Sequence, residues 1–261
     1  VKVYICTDLE GISGVTHWDQ TREMTTAAYQ HARHLLTREV NACVQGCLDG
    51  GAERIVVLDG HGGGFNFVPD ELHPGATYVT GPNRPTMLPG LDASFDAAIL
   101  LGYHAMAGTP QAVLAHTQSS KAGCRYWYNG RESGEIAQSA IVCGHYGVPV
   151  VMVTGDEATS AEARAFLGDG IVTVAVKKGI SITCCEMIPP QRAWELIRKG
   201  AADAMGRVSQ CKPYRIDLPI HARLSYLTAE IADGAGCRLS RRVDPTTYER
   251  IIESPLDIVR F

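Results

Sequence analysis

Short apolar runs alternate with amphipathic stretches through the first 155 residues or so, and this alternation most narrows the folds open to the chain. "VKVYICTD" reads as a strand, "TTAAYQHARHLLTREVNACVQGCLDGG" as a long amphipathic helix closed by Gly50 and Gly51, and "RIVVLDGH" as a second buried strand. "ATYVTG" and "DAAILLGYHA" continue the strand series. "AVLAHT" and "RYWYNGRE" follow, with Asn129 and Gly130 suited to a tight hairpin turn. "GEIAQSAIVCGHYG" reads as a helix, and "VPVVMVTGDE" as a strand leading into the helical "EATSAEARAFLG". Such a rhythm implies an α/β fold, a mainly parallel sheet with helices on both faces. Later segments bring strands of their own ("IVTVAV", "YRIDLPIHARLSYL") and a helix after Pro189-Pro190, "QRAWELIRKGAADAMGRV". The expectation is a catalytic α/β domain over residues 1–170 and a smaller C-terminal α+β lobe over 171–261. No Pro/Gly/Ser-rich linker marks that boundary.

With 261 residues, 45% of them hydrophobic, the chain can build one large core, or one core plus a small lobe. A net charge of −4, without basic runs interleaved with aromatics, argues against nucleic acid as a partner. No apolar stretch approaches the roughly 20 residues that span a bilayer. The first residues read as a strand rather than a signal peptide. The nine cysteines are odd in number and include no C-x-x-C pair. Cys43 and Cys47 share a helix face and Cys184 and Cys185 are adjacent, so neither pair looks like a zinc site. They read as reduced, mostly buried thiols of a cytoplasmic protein.

Three apolar runs end in residues of metal-ligand type: Asp8 after "VKVYICT", His61 after "RIVVLDG" and His104 after "AAILLGY". A lone histidine at a strand end is more often a hydrogen-bonded structural residue. Parallel strands, however, deliver all their carboxyl ends to one edge, where open α/β sheets bind ligands, and three such endings point to a shared site. In "TDLEGISG" the side chains of Asp8 and Glu10 leave extended backbone on the same side, so their charges repel unless a cation lies between them. Gly11 and Gly14 then allow a sharp turn or a close approach to a ligand. Glu135 opens a helix in "SGEIAQSA", as a partner of the helix dipole or as a fourth ligand. Carboxylates and imidazoles together suit zinc, with manganese or cobalt as alternatives, and a carboxylate bridging two ions would relieve the Asp8–Glu10 repulsion. The other histidines lack such company. His31 and His34 lie three apart on a helix surface, His73 precedes a proline, and His17, His145 and His221 have no ligand-type neighbours.

"DLEGISG", "DGHGGGFN", "LGYHA", "LAHT" and "NGRESGE", in this order and at these spacings, resemble the DppA-type D-aminopeptidases, a family of binuclear zinc peptidases. The likeness continues through "ELHPGATYVTG", "VPVVMVTGDE" and "TVAVKKGIS", and is looser in the C-terminal third. It implies that Asp8, Glu10 and His104 hold one zinc ion, and that Asp8, His61 and Glu135 hold the second. His116, in "LAHT", matches the family's proposed catalytic residue. Beyond it, "TQSSKAGCRYWYNG" is slightly longer than the family form, a departure that bears on substrate preference. The resemblance further implies short peptides or amino-acid amides as substrates, often with small D-configured first residues. It also implies a homodecamer of two stacked pentameric rings with active sites facing an inner channel.

A metal pair lowers the pKa of bound water towards ~7 and polarises a carbonyl, as hydrolysis of a peptide bond requires. His116, outside the implied ligand set, suits proton transfer; the roles of nucleophile, acid, base and oxyanion donor all remain open to it. Two other readings share these residues. A two-metal hydrolase of another bond, such as a phosphoester, needs cations for its substrate, and "SSKAG" and Arg125 are the candidates. A non-catalytic protein with an acidic metal pocket needs the carboxylates but has no use for His61, His104 and His116 at one edge.

Overall fold

The computed structural model describes residues 1–261. The alternating segments form β1 (Lys2–Thr7), α1 (Ala27–Asp49), β2 (Arg54–Asp59), β3 (Thr77–Val79) and β4 (Ala97–Leu101). A two-residue turn at Asn129-Gly130, both with positive φ, joins β5 (Arg125–Tyr128) to β6 (Arg131–Ser133). Then come α2 (Glu135–His145), β7 (Val150–Asp156) and α3 (Glu157–Leu167). β8 (Val172–Ser181), β9 (Cys184–Met187), α4 (Pro190–Met205), β10 (Ile220–Ser225), α5 (Ala229–Gly234), β11 (Arg241–Asp244) and β12 (Thr247–Ile252) complete the chain.

Seven strands form one sheet in the order β3-β2-β1-β4-β7-β8-β9, parallel except for β9. The fold is therefore α/β, as the alternation implied. The order of connection runs outward from β1 in both directions, which makes its carboxyl end the topological switch point. Thr7 of β1 stands level with Asp59 of β2 and Leu101 of β4, so three strands stop together at that edge. Along β1, Val3 and Ile5 enter a core with α1 and α4. Tyr4 and Cys6 enter a second core with α2, Ala163 of α3 and the other sheet. A strand covered on both faces needs no polar side, which accounts for the unbroken apolar runs. α1 and α4 pack so closely that a Cβ on Gly46 would lie 2.2 Å from the Arg198 carbonyl oxygen.

The second sheet is antiparallel, in the order β11-β12-β10-β5-β6. Its inner face, with Tyr126, Tyr128, Ile220, Ala222 and Leu224, packs on the core that contains α2. "LPIHARLSYL" thus supplies the central strand of this sheet. The two parts of the chain also interleave. β8 and β9 extend the large sheet, while β5 and β6 pair with the C-terminal strands, so the boundary expected near residue 170 falls inside the large sheet. "AVLAHT" forms no strand. Its backbone is irregular, with left-handed φ at Leu114 and at Gln111 just before it, and it is held by Val113 N–H donating to Asp156 Oδ2 at 2.8 Å.

Beneath the loop that follows β1 lies a buried polar clamp. Lys177 Nζ, enclosed in the core, donates to the carbonyl oxygens of Glu10 (2.6 Å), Ile12 (3.0 Å) and Val15 (2.5 Å). All three ammonium protons are matched, which offsets the cost of burying the charge. Glu39 of α1 accepts from Ser13 N–H at 2.8 Å, fixing the same loop from the other side. Burial pushes the Glu39 carboxyl up to about 7, against the lowering effect of its bond with Ser13. A carboxyl raised in the folded state stabilises fully below its unfolded value and loses that contribution as pH rises through the folded value. Glu39→Gln should therefore gain stability on the wild type as pH rises from about 4.5 to about 7, and hold a constant difference above that range. Urea denaturation of both proteins across this range checks the slope.

Candidate metal centre

The three level strand ends deliver the side chains expected from them. Asp8 follows β1 directly, and its N–H donates to Leu101 O at 2.8 Å. The next turn is stitched to the exit of β4 by Gly11 N–H donating to Gly102 O at 2.8 Å. Only glycine fits at position 11, because a Cβ would lie 1.9 Å from the Tyr103 carbonyl oxygen. This contact turns the chain so that Glu10 points back beside Asp8. His61 arrives from β2 on one flank and His104 from β4 on the other. Glu135 comes from the second sheet, at the first residue of α2 immediately after the β5–β6 hairpin.

His61 Nδ1 lies 2.9 Å from Asp8 Oδ1 and 3.0 Å from Glu10 Oε2. His104 Nε2 lies 3.2 Å from Asp8 Oδ2 and 3.4 Å from Glu135 Oε1. The His116 ring stacks on His104 with centroids 4.0 Å apart, and its Nε2 is 4.0 Å from Glu135 Oε1. All six residues singled out in the sequence meet in one place.

Each imidazole is oriented by a backbone carbonyl on its outer side. His61 Nε2 donates to Thr21 O (2.8 Å), His104 Nδ1 to Ala105 O (3.0 Å) and His116 Nδ1 to Leu114 O (2.8 Å). A carbonyl only accepts, so the outer nitrogen carries the proton and the inner one is turned towards the carboxylates, as in metal-binding histidines. Asp8 Oδ2, Glu10 Oε2 and His104 Nε2 are buried and meet only the close ion-pair contacts within the cluster, without an aligned hydrogen bond. One donor atom from each of these residues can be chosen so that all lie within 4.8 Å of one another; the same holds for His104, His116 and Glu135. Two buried carboxylate oxygens and an imidazole nitrogen without aligned hydrogen bonds fit a divalent ion of zinc type. The second close set contains His116 rather than His61.

Electrostatics follow from this crowding. Burial opposes charge on His61 and His104, but Glu10 and Asp8 around the first, and Glu135 and Asp8 around the second, hold both imidazoles well above their usual range. Burial likewise opposes the Asp8 charge, and His104 and His61 override it, holding the carboxyl well below its usual range. His116 goes the other way: burial and the neighbouring His104 charge lower it, so it is neutral at pH 7.

Sequence reading missed the groups that hold these side chains. Asp59 and Asn66 brace the His61 loop: Asn66 Nδ2 donates to Asp59 Oδ1 (2.7 Å) and to His61 O (2.8 Å). Glu162 of α3 accepts from Met106 N–H at 2.7 Å and anchors the loop after His104. Gln118, at φ +62°, aims its N–H at Glu135 Oε1 (2.7 Å). A non-glycine residue in the left-handed region beside a site is strain that the surrounding bonds sustain. The only advance sign of these groups was polar residues inside or beside apolar runs.

The cluster lies in an open cavity of about 550 Å³ that is also lined by Arg22, Arg84, Lys121 and Arg260. The family model described as D-aminopeptidase matches residues 1–261. A D-aminopeptidase of Bacillus subtilis (strain 168) is 35% identical over 215 residues, which cover 82% of this chain and 77% of that protein. Among solved structures, the chain resembles the Zn-dependent D-aminopeptidase DppA from Bacillus subtilis, described as a self-compartmentalizing protease. The TM-score is 0.92 at 28% identity, covering 99% of this chain and 94% of that one.

Proposed function

The chain belongs to the D-aminopeptidase family and is a peptidase, and from that premise we propose that it releases the N-terminal residue of short peptides or amino-acid amides at a binuclear zinc site. The observation that carries the proposal is the set of three imidazoles, each tied to a carbonyl on its outer side and turned inwards upon Asp8, Glu10 and Glu135. In this reading Asp8, Glu10 and His104 would hold one ion, and Asp8, His61 and Glu135 the other. Manganese or cobalt suits the same donors. Such a pair, when bound, supplies an activated water and a polarised substrate carbonyl.

His116 supplies proton transfer. Its Nδ1 proton is committed to Leu114 O, and its lowered pKa leaves Nε2 bare at neutral pH, facing the cavity. That atom accepts a proton during attack and returns it to the leaving amine. His104, stacked on the ring, and Trp18, edge-on at 5.8 Å, hold its plane. Preference for a small D-configured first residue, a cytoplasmic location and a decamer of two pentameric rings complete the proposal. Its support for assembly is that eight of the ten large exposed apolar side chains lie beyond residue 171, among them Ile180, Ile182, Leu227 and Leu239.

Three experiments test this reading. Zinc-loaded protein should cleave D-alanyl amides faster than L-alanyl or bulky ones. Asp8→Ala should lose both ions, whereas His116→Ala should keep them and lose at least ~10²-fold in kcat. Loss of metal from His116→Ala would make this histidine a ligand instead. Light scattering should give about ten times the 28.1 kDa chain mass, and a monomer that cleaves amides would refute the ring.

A further inference from the structure

We propose that Lys121 forms an anion-binding end of the substrate cavity, and that it receives the C-terminal carboxylate of a short peptide. The inference rests on the peptidase reading above and adds what the substrate must carry at its far end.

Of the four cations on the cavity wall, three are already engaged. Arg22 donates to Ser120 Oγ (2.9 Å) and Ser120 O (2.7 Å) and lies over the Trp18 ring at 3.7 Å. Arg84 donates to the carbonyl oxygens of Gly81, Gly60 and Asp59, bracketing the loop that carries His61. Arg260 pairs with Asp257 at 3.1 Å and donates to Pro85 O. Lys121 Nζ makes no hydrogen bond and no ion pair. Arg260 is ion-paired and Arg22 feels the charge of Glu10, so Lys121 keeps an unpaired positive charge whose field favours an anion. The cavity's own carboxylates, Asp8, Glu10 and Glu135, face the histidines of the cluster, and Glu10 also attracts Arg22.

The loop bearing Lys121 is fixed at both ends. Gln118 N–H is bonded to Glu135 Oε1, and the Gln118 side chain donates to Gln138 at 2.8 Å. Four residues on, Ala122 O accepts from Leu227 N–H at 3.1 Å. Ser119 Oγ accepts from Ala122 N–H at 3.1 Å, which leaves its hydroxyl proton free to serve the same anion as Lys121. Three residues of extended chain span at most about 11 Å, so Lys121 lies within that distance of Gln118, which touches the cluster. In a dipeptide the terminal carboxylate lies one residue, about 3.5 Å, beyond the scissile carbonyl. A dipeptide cleaved at the cluster therefore carries its carboxylate into the cavity that Lys121 lines.

The test compares alanyl-alanine, alanyl-alanine amide and alanyl-aspartic acid amide, in D and L forms, as substrates of the zinc-loaded enzyme. The wild type should favour the free acid through a lower KM, and that preference should weaken as salt rises. The ratio of kcat/KM between alanyl-alanine and its amide should fall roughly tenfold in Lys121→Gln, further in Lys121→Glu, and survive in Lys121→Arg. A wild type that treats acid and amide alike, or a ratio unmoved by Gln and Glu, overturns the subsite and leaves the peptidase reading in place. A preference for the aspartyl amide over alanyl-alanine moves the recognised carboxylate to a side chain and overturns the C-terminal assignment. Failure to cleave any of the three overturns the peptidase reading and this inference with it.

Discussion

Three carboxylates, Asp8, Glu10 and Glu135, are gathered into one buried pocket, and much of the structure answers that concentration of negative charge. Like charges at such spacing cannot all stay ionised in a low-dielectric site without cations between them. His61 and His104 provide part of the answer, with their imidazoles held well above the usual range by the carboxylates they face. Divalent ions at the same inner nitrogens and oxygens would provide the rest, and would displace those protons on binding. Asp8 Oδ2, Glu10 Oε2 and His104 Nε2, buried without aligned hydrogen bonds, mark where protein groups alone leave the balance incomplete.

The fold solves the geometric side of the problem with few parts. A central β1 flanked by β2 and β4 brings an acid and two histidines to one edge from strands that end level. The second sheet supplies the fourth side by ending its β5–β6 hairpin where α2 begins, so Glu135 also stands at a helix N-terminus that favours its charge. Lys177 and Glu39 then hold the loop after β1 from below through backbone atoms alone. Polar groups inside the core thus serve to position the charged groups in the pocket; Lys177 is fully matched, whereas Glu39 keeps Oε2 buried without a partner.

Much of this was legible in the sequence, for a definite reason. Asp8, His61 and His104 terminate apolar runs, and a parallel sheet converts that one-dimensional pattern into spatial proximity. The Asn129-Gly130 turn and the long α1 were legible because their signals are local. Lys177 was not. Beside Lys178 it looks like one of two solvated lysines, and it turns inward only because the β7–β8 pairing shifts register between Gly155 and Asp156, which leaves Val176 and Lys177 both buried. "AVLAHT" carries strand-like apolarity but is buried as an irregular loop, because Asp156 and Ile182 from distant segments satisfy its backbone N–H groups. The interleaving of strands across residue 170 was hidden for the same reason. Sheet membership is decided by pairing partners far apart in the chain, and local composition does not encode them.

The central claim is that the acidic cluster exists to hold a pair of ions across Asp8. Anomalous diffraction at the zinc edge, from crystals of zinc-loaded protein, tests it most directly. The account predicts two peaks per chain, about 3.5–4 Å apart, with Asp8 between them. A single peak, or peaks that leave Asp8 outside both coordination shells, would contradict it.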